Sequence, residues 1–305
     1  MNHGRVAAWS LALPVALAAT MGCRDLQREA GQLDTNVLAE RESHLARALA
    51  QTGDSAEAGK PVARWILPAT LSEISGLALT ADGRLFAHGD ELAQVSELDY
   101  RRGVLVKQFT LGKSPVHGDF EGIAIAGEQM YLLASDGKIY EFREGANGTH
   151  VDFVLHDTKL GHECEFEGIT FDPDLNALLL ACKNVGTKSL QKDLVIYAWR
   201  LPDGASDAES PEIAVPLKEV IGANKWKDLH PSDITRDPLS GNYVLVTAQE
   251  EALITLTPGG KVVASRPLPS RLEHTEGVAI TRDSLLILSD EAGKQPATIS
   301  VYRWR

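Results

Sequence analysis

A five-fold internal repeat sets the fold class of this 305-residue chain. The phrases "EISGLALTADGRLFAHGDE", "DFEGIAIAGEQMYLLASDG", "EFEGITFDPDLNALLLACKN", "HPSDITRDPLSGNYVLVTAQEE" and "HTEGVAITRDSLLILSDEAG" share one grammar. Each opens on polar residues, runs through a short apolar strand, turns, and returns through a second strand. The anchors Gly76, Gly122, Gly168, Asp233 and Gly277 lie 46, 46, 65 and 44 residues apart. A period of about 45 residues holding four strands is the spacing of a propeller blade. Short β-branched runs between turn signals such as "ADG", "DPLSGN" and "TPGGK" make the class all-β. The expectation is a five-bladed β-propeller over residues 62–305, with about 49 residues per blade. A six-bladed ring is the alternative, but a sixth anchor is missing. The long third interval holds "LPDGASDAESPE", which has the composition of a surface loop. The two chain ends are expected to share the last blade. "ATISVYRWR" supplies its third strand and "PVARWIL" its outermost strand, which removes the free sheet edges.

In a propeller the first strand of each blade lines the central channel. The anchors sit where the chain enters that strand, so they ring one mouth. The ring residues are Ser75, Glu121, Glu167, Ser232 with Asp233, and Glu276. Glycine after the acid lets crowded inner strands approach. Acids converging on one axis need raised pKa values or a cation. A hard cation with six to eight oxygen ligands fits such a set best, which points to calcium held by Glu121, Glu167, Asp233 and Glu276. The nearby histidines stand at unequal offsets, which ranks zinc below calcium. A second acidic set follows the second strands: Asp90 with Glu91, Asp136, Glu250 with Glu251, and Asp290 with Glu291, while blade three departs with Lys183 and Asn184. With Ser75, His230, Ser232 and His274 it forms the expected ligand-binding face. The plain alternatives are solvated turn acids and a metal-free ring of protonated acids and serines.

The N-terminus reads as a targeting segment. "MNHGRVAAWSLALPVALAATMGC" has Arg5, an apolar run too short for a comfortable membrane span, and a small-residue ending. Residues 1–22 are the expected signal peptide. "ATMGC" is similar to a bacterial lipoprotein signal, which puts lipidation on Cys23. Residues 23–61 are the expected tether, with helical spacing in "NVLAERESHLARALAQ". That segment suits either a free spacer or a helix packed on the domain's side. Export implies a periplasmic protein of the cell envelope, with an outer-membrane anchor favoured. Cys164 and Cys182 remain, either as one disulfide or as two buried thiols.

The 42 acidic and 30 basic residues give a net charge of −12. That charge argues against nucleic acid and against anionic membrane faces. Membrane attachment is therefore expected only through the lipid, and the expected state is a monomer. The sequence has no nucleophile elbow, phosphate loop or dinucleotide fingerprint.

The phrases "EISGLAL", "DFEGIAI", "FEGITFDP", "HPSDITRDPLSGNYVLV" and "TEGVAI" followed by "LLILSDE" resemble the SdiA-regulated family of bacterial exported proteins. The resemblance spans about residues 65–305. It implies a five-bladed propeller similar to NHL-repeat proteins, with a bound calcium, and Glu121, Glu167, Asp233 and Glu276 as ligands or near neighbours. This family has no settled activity. Two functions follow as expectations. One is a calcium-binding module that recognises a ligand or an envelope protein without chemistry. The other is a calcium-dependent hydrolase, phytase-like, esterase or lactonase, with His230 or His274 as base.

Overall fold

The structure is a computed structural model that describes residues 1, 35–51, 60–201, 205–206, 211–269 and 272–304. Cys23 and the expected signal beyond Met1 lie outside the described residues. So does most of the loop after Leu201.

Five antiparallel sheets form the body. Blade one is β2 (Ile74–Leu79), β3 (Leu85–Gly89), β4 (Gln94–Asp99) and β5 (Val104–Leu111). Blade two is β6 (Phe120–Ala126), β7 (Gln129–Ala134), β8 (Lys138–Arg143) and β10 (Phe153–Asp157). Between the last two, the short β9 (His150–Val151) adds in parallel to β5. Blade three is β11 (Cys164–Asp172), β12 (Ala177–Val185), β13 (Asp193–Arg200) and an outer edge of β14 (Ala205–Ser206) and β15 (Ile213–Pro216). Blade four follows the short helix α2 (Leu217–Ile221). It comprises β16 (Asp233–Arg236), β17 (Tyr243–Thr247), β18 (Ala252–Leu256) and β19 (Val262–Pro267). Blade five is β20 (Thr275–Ile280), β21 (Leu285–Asp290), β22 (Thr298–Arg303) and the N-terminal β1 (Ala63–Ile66). Five sheets replace the six-bladed alternative. β1 pairs with β22 from Ala63 opposite Val301 to Ile66 opposite Thr298, so the two chain ends close the ring.

The apolar runs are nearly continuous because each blade is covered on both faces. Strand alternation then divides the side chains. Leu178 and Leu180 of β12 pack toward blade two, while Leu179 and Ala181 pack toward blade four. The core is accordingly five clusters, one between each pair of neighbouring blades. The inner strands β2, β6, β11, β16 and β20 touch in ring order around the axis.

The segment before the propeller forms α1 (Thr35–Gln51). It docks rather than hanging free. Leu45 is fully buried in the cluster between blades one and five, and Ala48 and Leu49 pack beside it. Arg41 lies over the Trp65 ring and donates to the carbonyls of Arg102 and Gly103. Cys164 and Cys182 are joined in a disulfide between β11 and β12, with 5.7 Å between Cα atoms. Among the described residues no helix is long and apolar enough to cross a membrane.

Candidate functional site

The repeated acid-glycine pair is a β-bulge. The β2–β3 ladder shifts register between Ile74 and Gly76, leaving Ser75 as the extra residue. The same shift leaves Glu121 extra in β6 and Glu276 extra in β20. In β11 the shift spans Phe166 to Ile169 and releases Glu167 and Gly168. A bulge re-aims the side chain of its unpaired residue and bends the strand. Four blades thus turn a polar side chain out of the ladder at the same level.

The glycines allow the strands to converge at that level. A Cβ on Gly122 would lie 3.0 Å from the Gly168 Cα, and one on Gly168 would lie 2.6 Å from the Asp233 Cα. Gly168 also has φ +92°, which favours glycine. Blade four completes the closure by other means. Asp233 is fully buried, and its carboxylate accepts from the backbone N–H of Ile234 and Val278, each at 2.8 Å, and from that of Leu77. One side chain thereby ties blades four, five and one across the axis. Burial pushes its pKa up, and the three N–H donors pull it back. Ser232 is spent the same way, donating to the Thr275 carbonyl at 2.6 Å.

Glu121, Glu167 and Glu276 are brought together. Each feels another of the three as a like charge. Burial, then Glu167 and Asp119, raises Glu121 to about 8. Burial, then Glu291, raises Glu276 to about 8. Burial raises Glu167 to about 7, against the pull of Lys183. Lys183 Nζ is hydrogen-bonded to Glu167 Oε1 and lowers the pKa of all three glutamates. Ser75 Oγ donates to Glu121 Oε2 at 3.3 Å. The ring therefore seats one positive charge, an ammonium supplied by the protein itself. Lys183 stands where the other blades place acids, and that departure in "ACKN" was its sequence signal.

The second acidic set divides. Asp90 has a buried Oδ1 without a hydrogen-bond partner, and burial raises its pKa, with Glu91 and Asp119 adding to the shift. Glu291, expected beside Asp290, and Glu73, absent from the expected set, are raised as well, chiefly by burial and by Asp90 respectively. Glu250 holds His230: Oε1 meets Nδ1 at 2.7 Å, and Oε2 accepts from the His230 N–H at 3.0 Å. Asp290 accepts from the His274 N–H at 2.9 Å and shapes the entry to β20. Asp136 is exposed in the β7–β8 turn and pairs with Lys138. His274, Glu273, Asp290 and Glu291 line a cavity of about 530 Å³ above blade five, which reaches out to Arg64 and Ile66.

Oxygen donors for calcium are present at Glu121, Glu167, Glu276 and Ser75, but Asp233 is taken by backbone N–H groups. Among the described residues, no group of three or more His, Cys, Asp or Glu is already set to hold a metal ion. The ring as it stands fits a single cationic head.

The sequence profile of the family described as SdiA-regulated matches residues 212–303, from the outer edge of blade three through blades four and five. Over that stretch the chain resembles the SdiA-regulated family, and its fold is a five-bladed β-propeller. Its fold resembles that of the PQQ-bound aldose sugar dehydrogenase from Streptomyces coelicolor, at 16% identity and TM-score 0.50. That match covers 80% of this chain and 98% of that one. It also resembles Myxococcus xanthus glutaminyl cyclase, at 13% identity and TM-score 0.53, covering 80% and 95%. At these identities the likeness concerns fold alone. No curated protein matches in sequence.

Proposed function

We propose that this propeller is a recognition module of the cell envelope whose acidic mouth binds a cation. The observation that carries this reading is the meeting of one buried and two half-buried glutamates, each thrown inward by a bulge, around a single ammonium. Groups with pKa values of about 7 to 8 stay partly protonated near neutrality. They would surrender those protons to a stronger cation. Calcium suits the oxygen donors, and Glu121, Glu167 and Glu276 with Ser75 would hold it. Its chemistry there is neutralisation of the mouth, which leaves the cavity beside His274 and Glu291 as the place for the recognised ligand. Export and lipidation at Cys23 complete the proposal. The disulfide between Cys164 and Cys182 supports an oxidising compartment.

Isothermal titration of the purified protein with calcium tests the site. We expect saturable binding that Glu167→Gln weakens at least about tenfold, since a charge-assisted ligand is removed. Equal affinity in the two proteins overturns the assignment.

One observation favours a second reading, a calcium-dependent hydrolase. Glu250 fixes the His230 ring through Nδ1, which leaves Nε2 placed as an acid or base. Phosphoester and lactone panels, with and without chelator, separate the two readings. Turnover that needs calcium and disappears in His230→Ala supports the hydrolase.

A further inference from the structure

The channel has a second mouth, at the far ends of the inner strands. There the axis opens into a cavity of about 540 Å³ lined by residues of all five blades. Its walls offer apolar surface at the half-buried Leu79, Ile125 and Phe171, interleaved with polar side chains such as Thr80 and Thr235. Its inner end is pinched where Asp233 ties the strands, with Leu77 donating to that carboxylate and lining the cavity. The space is therefore a blind pocket, of a size that takes a small ligand.

Charge at this rim is opposite in character to the acidic mouth. Arg101, Arg236 and Arg282 all line it. Arg101 is paired with Asp283 at 2.7 Å, and Arg236 with Asp174 at 2.5 Å. Asp82, the remaining acid of the rim, is held by Thr80 at 2.5 Å and Arg84 at 3.3 Å. Arg282 is exposed in the β20–β21 turn and makes no ion pair among the described residues. The overall charge of −12 repels anions, so any selection for them has to be local to this guanidinium.

We propose that this second mouth binds a small amphipathic anion, a carboxylate on an apolar body. The body fills the five-walled pocket, and the carboxylate pairs with Arg282 in the fork geometry that guanidinium offers. Burial of the apolar part and one charge-assisted contact then act together.

Calorimetric titration of the purified protein with octanoate, and separately with octan-1-ol, tests this. Octanoate is expected to bind one to one, about tenfold tighter than the alcohol, as one charge-assisted contact predicts. Arg282→Ala should remove that preference, with an unchanged melting temperature because the residue is exposed, and Arg282→Lys should keep part of it. Glu121→Gln, at the acidic mouth, should leave octanoate affinity unchanged. The proposal is overturned if octanoate does not bind, or if both ligands bind equally. Full affinity in Arg282→Ala overturns it as well, as does loss of octanoate binding in Glu121→Gln.

Discussion

Asp233 and Glu167 show how one functional group, the carboxylate, serves two ends at a single level of the channel. Asp233 has no bulge to re-aim it, so its carboxylate stays within reach of three backbone donors. Asp233→Ala leaves those N–H groups buried and unmatched, and should cost at least about 3 kcal/mol. Chemical denaturation measures the loss. Calcium affinity should persist wherever the variant still folds, because the three glutamates are intact. Glu167 instead faces Lys183. Lys183→Met removes the cation from three acids, and its destabilisation should be larger at pH 8 than at pH 6. The sign follows from the direction of the shifts. The folded-state values, about 7 to 8, lie above the ordinary 4.5, so the folded protein holds protons that the unfolded chain has released. Their contribution is fully present below pH 4.5 and is lost as pH rises toward 8. In the absence of added cation, stability should therefore decline across that window, and Glu121→Gln should flatten the decline. Melting temperature against pH, for the three proteins, reads all of this.

At the scale of the element, the bulge joins sequence to site. The acid-glycine pair was legible as a repeat because it recurs at one blade register. The expectation that glycine serves close approach matches the contacts at Gly122 and Gly168. The bulge itself was not legible, since a register shift depends on the partner strand. Lys183 was visible as an exception among acids, but its position inside the ring required the fold. The docked helix was half legible: Leu45 and Leu49 had helical spacing, but the surface covering Leu45 comes from blades one and five. Gly168→Ala tests the bulge. It combines a positive φ with a Cβ only 2.6 Å from the Asp233 backbone, and should cost about 3 kcal/mol or more. Gly83→Ala, also at positive φ but with nothing within 4 Å, should cost only about 1 kcal/mol. Equal losses in denaturation would mean that strand convergence does not depend on this glycine.

For the whole molecule, closure and polarity follow from topology. β1 is far from β22 in sequence, yet it completes the fifth sheet and covers an edge that would otherwise be exposed. Truncation up to residue 59 should leave a cooperative melt, lowered by the loss of the Leu45 contact, for which Leu→Ala changes suggest about 2 to 5 kcal/mol. Truncation through Ile66 should abolish cooperativity, which calorimetry would detect. The ring also gives the molecule two unlike mouths, acidic at the strand entries and arginine-bearing at the strand exits. The blade number and the acidic mouth were readable from spacing. The arginine mouth was not, because Arg101, Arg236 and Arg282 share no repeat position and meet only through the fold.

The most direct test of the cation-binding mouth is calcium titration at pH 7.5 in buffers of different ionisation enthalpy, which counts the protons released on binding. The account predicts saturable binding with net proton release, and loss of that release in Glu121→Gln with Glu276→Gln. Calcium binding without proton release, or no calcium binding at all, would contradict it.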